Sequence, residues 1–120
     1  MLLENKFYRI VKMEGDGLSA IFKVDILPDC TVYEGHFPGK PICPGVCNIE
    51  TIKECASHLL DKPLTINTIK QCRLTAIASP KVCPQVSISV NVTQNGDTYA
   101  VIAKIYDDSQ SYMDFKGTLS

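Results

Sequence analysis

The 120-residue sequence predicts one α+β domain, spanning residues 1–120, in which a single helix packs against a mostly antiparallel sheet. Two observations lead to this class. Several segments alternate apolar and polar residues with the period of a strand, and only one segment has apolar residues at helical spacing. Because a short helix with a narrow apolar stripe is not stable alone, the sheet has to cover it.

Six strands are expected, two before the helix and four after it. The second strand is the clearest of the first pair, because apolar residues alternate with Ser19, Lys23 and Asp25. Asn95-Gly96 is the strongest hairpin signal in the chain. The six expected strands are Phe7 to Met13, Leu18 to Leu27, Leu64 to Ala76, Val86 to Val92, Tyr99 to Ile105 and Met113 to Leu119, with turns at residues 15–17 and 107–109.

The helix is predicted from about Pro44 to Leu60. Proline suits the first helical turn, where its missing N–H would have no intrahelical acceptor, and Asp61-Lys62-Pro63 ends the helix. Residues 28–43 contain three prolines and two glycines and are expected to form a loop. The apolar stripe of the helix comprises Val46, Ile49, Ile52, Ala56 and Leu59.

Charge and composition exclude several classes of function. The net charge of −1 and the lack of a basic run argue against nucleic-acid binding. No apolar stretch approaches the roughly 20 residues of a membrane span, and no signal peptide is recognised, so a cytoplasmic location is expected. The six cysteines are then expected to be reduced thiols. Cys43 and Cys47, near Cys30 and His36, lack a second close pair, which favours packing over zinc binding.

The segment from Gly35 to Glu50 contains the elements of an acid–base site. His36 lies in a loop stiffened by prolines, and its imidazole titrates near neutral pH, as a proton acceptor requires. The first helix amides, at Gly45 and Val46, lack intrahelical acceptors and lie at the positive end of the helix dipole, where they can stabilise an oxyanion. Glu50 lies off the apolar stripe, as a solvated residue or facing a cleft formed with a partner chain.

A purely structural interpretation of these residues stays open, in which His36 is a turn residue and Glu50 only complements the helix dipole. Two further ionisable residues of the helix are expected at its surface. His58 is expected to face solvent, and Glu54 is expected to be a surface residue rather than a second acid.

The run from His36 to Glu50 resembles the signature of the β-hydroxyacyl-acyl-carrier-protein dehydratases of the FabA/FabZ type. The shared pattern is His36-Phe37-Pro38-Gly39-x-Pro41-x-x-Pro44-Gly45-Val46-x-x-x-Glu50, with glutamate at the last position as in the FabZ branch. The resemblance implies the hotdog fold, a curved antiparallel sheet wrapped around one long helix. It also implies a side-by-side homodimer with shared active sites, and a hexamer of three such dimers is the larger assembly that it allows.

The resemblance further implies a role for each residue of the motif. His36 of one subunit would remove the α-proton of a 3-hydroxyacyl thioester, and Glu50 of the other would protonate the leaving hydroxyl. The Gly45 amide, next to that of Val46, would bind the thioester carbonyl. Phe37, Pro38, Gly39 and Pro44 would form the substrate loop. The substrate would hang from the phosphopantetheine arm of acyl carrier protein, with no metal or bound cofactor, and Lys40 is a candidate contact for that acidic carrier.

Some positions depart from the family pattern and leave alternatives open. Thr51-Ile52-Lys53-Glu54-Cys55 replaces the usual alanine-rich stretch with its glutamine, and the later Pro-Gly-Asp turn is missing. Fatty-acid synthesis and a specialised lipid or polyene pathway are both compatible with the sequence. A hotdog acyl thioesterase is a second hypothesis, against which His36 argues. The third is an acyl- or carrier-binding subunit, weak in catalysis, that pairs with another hotdog chain.

Overall fold

The computed structural model describes residues 3–27, 45–76 and 84–120, which form one helix and six strands. The expected order of elements, two strands before the helix and four after it, is confirmed. The elements are β1 (Tyr8–Asp16), β2 (Ser19–Ile26), α1 (Gly45–Leu60), β3 (Ile66–Leu74), β4 (Gln85–Asn95), β5 (Thr98–Tyr106) and β6 (Ser111–Leu119). The predicted loop over 28–43 lies outside the described residues.

All six strands form one antiparallel sheet in the order β1-β2-β4-β5-β6-β3. Hairpins join β1 to β2, β4 to β5 and β5 to β6. The chain crosses from one side of the sheet to the other through α1, so that β3 pairs with β6 and not with β2. In the described part of the chain, β1 and β3 are therefore the two outer strands.

The core lies on one face of this sheet and confirms the predicted alternation. In β2, Ala20, Phe22, Val24 and Ile26 are all buried, while the residues between them face outward. The same period of two continues across β4 and β5, whose inward residues are also buried. They are Val86, Ile88, Val90, Val92, Tyr99, Val101, Ala103 and Ile105.

The helix packs on the face formed by β2, β4 and β6, and more of it is buried than the predicted stripe. Ile52 and Ala56 are fully buried, as the stripe requires, but Cys55 is as well. Two buried polar residues of the helix use carbonyls one turn back: Thr51 Oγ1 donates to the Cys47 carbonyl at 2.8 Å and Ser57 Oγ to the Lys53 carbonyl at 2.9 Å. The bounds predicted from the sequence, about Pro44 to Leu60, are confirmed, since the helix runs from Gly45 to Leu60. With 16 residues, about 24 Å, it is shorter than the long helix that the family resemblance implies.

Two turns lie slightly later than predicted. The two residues between the paired Asn95 and Thr98 are Gly96 and Asp97, with Gly96 at a φ of 61°, so the hairpin turn is one residue beyond Asn95-Gly96. Strand β1 likewise continues through Gly15 to Asp16, which pairs with Ser19.

Within 3–27, 45–76 and 84–120, none of the helical segments has the length and apolar character that a bilayer crossing requires.

Strand β3 is the most exposed element of the sheet. The sequence predicts a strand from Leu64 to Ala76, and the structure places it at Ile66–Leu74, with eight of its nine residues exposed. Ile69 and Leu74 are 45% and 58% exposed. An outer strand with exposed apolar side chains is a candidate surface for pairing with another chain.

Candidate active site

The start of α1 determines where Glu50 lies. The helix begins at Gly45, next to the predicted start at Pro44, so Glu50 is its sixth residue. The first amides of the helix have no intrahelical acceptor, and they form the positive end of its dipole. Glu50 is therefore on the second turn, close to the end of the helix at which a developing negative charge is stabilised.

The Glu50 carboxyl group is largely withdrawn from solvent. Its side chain is 23% exposed, and Oε2 is buried with no hydrogen-bond partner among the described residues, although Lys53 Nζ lies 2.9 Å from it as an ion pair. Burial raises the pKa of Glu50, the neighbouring Glu54 carboxyl raises it further, and Lys53 acts in the opposite direction. A carboxyl group with a raised pKa can hold a proton nearer neutral pH, as a general acid must.

Glu54 is buried, which corrects the expectation of a surface residue. It is 1% exposed and accepts three hydrogen bonds, two from the N-terminal segment (residues 3–7) and one from β1. The backbone amide of Leu3 donates to Oε2 at 3.0 Å, the amide of Glu4 donates to Oε1 at 3.0 Å, and the Tyr8 hydroxyl donates to Oε1 at 2.9 Å. These three donors compensate for the desolvation of the carboxylate.

The N-terminal segment thus contacts the middle of the helix through the Leu3 and Glu4 amides. A second contact of this segment lies one turn further along, where His58 Nε2 is 2.8 Å from Glu4 Oε1. The His58 side chain is 37% exposed, so the expected solvent-facing position is confirmed. The amphipathic pattern of the helix could not reveal Glu54, because its partners lie about 50 residues earlier in the sequence. The only local signal is its spacing of four from Glu50 on one helix face.

The remaining predicted site residues lie outside the described residues or have undescribed side chains. His36, Lys40, Pro44 and the other substrate-loop residues, Phe37, Pro38 and Gly39, lie between 28 and 44. Gly45 and Val46 are described only as the first helical residues. Cys30 and Cys43 of the weighed zinc site also lie outside the described ranges, while Cys47 is a buried thiol. Of the predicted acid–base pair, Glu50 therefore lies within the described residues, together with the start of its helix, and His36 does not.

Comparison with known proteins identifies relatives over most of the chain. The model of the ApeI-like family, described as ApeI dehydratase, matches residues 12–113. The chain is 31% identical over 87 residues to 3-hydroxyacyl-[acyl-carrier-protein] dehydratase FabZ of Rickettsia bellii, covering 72% of this chain and 55% of that protein. FabZ of Rickettsia felis is 30% identical over 88 residues, covering 73% and 56%. The chain spans about half the length of these curated relatives.

Solved structures share the fold. The dehydratase heterocomplex ApeI:P from Xenorhabdus doucetiae matches with a TM-score of 0.72 and 18% identity, covering 92% of this chain and 95% of that one. An uncharacterised protein from Erwinia carotovora subsp. atroseptica matches with a TM-score of 0.62 and 16% identity, covering 91% and 90%. The resemblance seen in the motif is confirmed: the chain belongs to the ApeI-like dehydratase family, within the FabA/FabZ-like dehydratases of the hotdog superfamily.

Proposed function

We propose that this chain is a hydro-lyase that removes water from a (3R)-3-hydroxyacyl-[acyl-carrier-protein] to give the trans-2-enoyl thioester. The observation that supports this most directly is Glu50, a largely buried carboxyl group with a raised pKa on the second turn of α1. It lies fourteen residues after His36, at the last position of the dehydratase signature. The two FabZ relatives are named 3-hydroxyacyl-[acyl-carrier-protein] dehydratases, which is the activity proposed for this chain.

In the proposed reaction, one residue removes a proton from the α-carbon and the other donates a proton to the hydroxyl group of the neighbouring β-carbon. His36 takes the α-proton, the electrons of that C–H bond form the C=C bond, and the β-carbon loses its hydroxyl. Glu50 gives its proton to that hydroxyl, which leaves as water. The imidazolium loses its proton to solvent and Glu50 regains one, so that the enzyme returns to its starting state.

The helix start and the preceding loop complete the proposed site. The amides of Gly45 and Val46 would stabilise the charge that develops on the thioester carbonyl oxygen when the α-proton leaves. Glycine at position 45 lets the substrate approach the backbone closely. The segment with Phe37, Pro38, Gly39 and Pro44 would hold His36 and the acyl chain, and Lys40 would contact the acidic carrier. The phosphopantetheine arm belongs to the carrier, so we propose that the chain needs no bound cofactor.

We propose that residues 1–120 form one hotdog domain, whose sheet curves around α1, and that two copies associate side by side. The exposed outer strand β3 supports this arrangement, because a second β3 could continue the sheet there. Each site would then combine His36 of one subunit with Glu50 of the other. A hexamer of three dimers is the larger assembly that we propose to test.

A second candidate function is that of a subunit that needs another hotdog chain. The Xenorhabdus doucetiae protein, whose fold is similar to that of this chain, is a dehydratase heterocomplex. Residues 51–55 also depart from the FabA/FabZ pattern just after Glu50. In that case the purified chain would bind acyl carrier protein but dehydrate slowly until its partner is added.

The test is turnover of 3-hydroxyacyl carrier proteins of several chain lengths by the purified chain, His36→Ala and Glu50→Gln. Removing one positioned acid or base is expected to lower the rate on the order of a hundredfold or more, with the fold intact by circular dichroism. Glu14→Gln, at an exposed site on β1, is the matched control and should turn over at the wild-type rate. Activity that is unchanged in both site variants would contradict the proposal, and inactivity of the wild type would favour the second candidate.

A further inference from the structure

Glu54 is the fixed member of a pair of carboxyl groups on α1. All three of its hydrogen-bond partners are donors: the amides of Leu3 and Glu4 and the hydroxyl of Tyr8. A carboxylate only accepts hydrogen bonds, whereas a carboxylic acid has to donate one. These three donors, around a side chain that is 1% exposed, match the acceptor oxygens of a carboxylate and anchor the Glu54 side chain.

Glu50 lies one turn before Glu54, on the same face of the helix. Its Oε2 is buried, and among the described residues it is compensated by the ion pair with Lys53 Nζ, 2.9 Å away. Two negative charges one turn apart repel each other, so a carboxylate at Glu54 disfavours a second carboxylate at Glu50. A proton on Glu50 removes this repulsion and supplies an O–H that can donate to Glu54.

We infer that Glu54 is a positioning residue for Glu50: a carboxylate, anchored by the N-terminal segment, that aims the Glu50 carboxyl group and keeps it in the acid form. This inference rests on the proposed function, in which Glu50 protonates the leaving hydroxyl. Glu54 itself does not touch the substrate. The FabA/FabZ signature usually has an uncharged glutamine in the stretch after the glutamate, so a charged Glu54 is a departure of this chain from that pattern.

Other ionisable groups around the pair act in both directions. Burial, then Cys55 and Glu54, raise the pKa of Tyr8, so its hydroxyl remains a donor over the working pH range. Lys53 Nζ, 2.9 Å from Glu50 Oε2, favours the ionised form of Glu50 and so opposes Glu54. The ionisable groups that face the pair from the described elements are thus Lys53 and Cys55 on α1, Tyr8 on β1 and Glu4 in the N-terminal segment.

The direct test follows the side-chain carboxyl carbons of ¹³C-labelled glutamate by NMR titration, with Glu50 assigned from its absence in Glu50→Gln. In Glu54→Gln the Glu50 carboxyl should titrate at a lower pH than in the wild type, by about one pH unit or more. In Lys53→Met it should titrate at a higher pH. Glu14→Gln, on an exposed stretch of β1, is the matched control and should leave the Glu50 titration unchanged.

A second variant covers the case in which Glu54→Gln does not fold. Tyr8→Phe removes one of the three donors that anchor Glu54, so its carboxyl group is held less firmly beside Glu50. The Glu50 carbon should then titrate at a lower pH than in the wild type, in the same direction as in Glu54→Gln. An unchanged Glu50 titration in Glu54→Gln, or in Tyr8→Phe where only that variant folds, would overturn the inference.

Kinetics distinguish this inference from the proposed function. A positioning role predicts that Glu54→Gln lowers kcat at neutral pH, leaves KM nearly unchanged and alters the pH profile of kcat/KM, with partial rescue in Glu54→Asp, which keeps the charge. A rate lowered by the same factor at every pH would indicate a structural role only and would overturn the inference. If the wild type dehydrates no substrate, the proposed function fails, while the NMR titration still decides whether Glu54 sets the protonation of Glu50.

Discussion

The Tyr8 hydroxyl donates a 2.9 Å hydrogen bond to Oε1 of Glu54, and both side chains are at most 1% exposed. This bond links the first strand to the middle of the helix at the point where the candidate acid lies. A buried carboxylate depends on such donors, because its lost hydration is otherwise not replaced. The contact therefore bears on stability as well as on the chemistry of Glu50.

We predict that Tyr8→Phe lowers the free energy of unfolding by about 1.5–3 kcal/mol, the usual range for a hydrogen bond to a charged group. The variant keeps the ring and its packing, so the loss reports the hydroxyl. Urea denaturation followed by circular dichroism measures it. Tyr106→Phe, at a partly exposed position on β5, is the matched control and should change stability by less than about 0.5 kcal/mol. Equal effects of the two variants would contradict the buried bond.

Glu50 should make stability depend on pH in a predictable direction. Folding raises its pKa, so the native state binds this proton more tightly than the unfolded chain. Its contribution is therefore complete at low pH and is lost as the pH rises through the native pKa. In Glu50→Gln this loss disappears, so the stability of the variant relative to wild type should increase as the pH rises above the ordinary glutamate pKa of about 4.3. Urea midpoints at several pH values from acid to neutral measure it, and a difference that stays constant with pH would contradict the raised pKa.

The sheet could be predicted from the sequence, but the hydrogen-bond partners of Glu54, the residue one turn after Glu50, could not. Alternation at residues such as Phe22, Val24 and Ile88 is a local signal, because one face of the sheet meets the core and the other meets water. The surroundings of Glu54 are not local, since its partners Leu3, Glu4 and Tyr8 belong to another segment. An apolar stripe on a helix predicts where the sheet packs, but it cannot predict which distant backbone amides bind a polar side chain of that helix.

The turn between β5 and β6 is held by Asp107, which is expected to stabilise the fold above its own pKa. Its Oδ2 accepts a 2.5 Å hydrogen bond from Tyr112, and its Oδ1 accepts from the Ser109 and Gln110 amides. The Tyr112 hydroxyl, more than these amides, holds the pKa of Asp107 below its usual range. This contribution is lost as the pH falls through the native pKa.

We therefore predict that Asp107→Asn is less stable than wild type at pH 7 and that the difference narrows as the solution is acidified. Thermal denaturation at several pH values measures the difference in Tm. Asp108→Asn, at an exposed position in the same turn, is the control and should match wild type throughout. A difference that widens in acid would contradict the assigned hydrogen bonds.

The outer strand β3 is expected to form the dimer interface. Ile69 and Leu74 are exposed apolar residues on this strand, and lysine at both positions would have to be desolvated on association. We predict that Ile69→Lys/Leu74→Lys shifts the mass in solution from dimer to monomer, as measured by light scattering after gel filtration. Ile102→Lys is the matched control, because Ile102 is 55% exposed on β5, inside the sheet. A dimer that persists in the double variant would place the interface elsewhere.

If each active site is shared between two subunits, two inactive variants should restore activity when they form a mixed dimer. His36→Ala retains a working Glu50, and Glu50→Gln retains a working His36, so a heterodimer of the two variants contains one intact site and one that lacks both residues. After unfolding and refolding an equimolar mixture, we expect about a quarter of the wild-type rate if the chains pair at random in a twofold dimer. Each variant refolded alone should remain inactive and serves as the control. If the mixture stays as inactive as its components, His36 and Glu50 act within one chain, because inactive chains that each contain a complete but damaged site cannot complement each other.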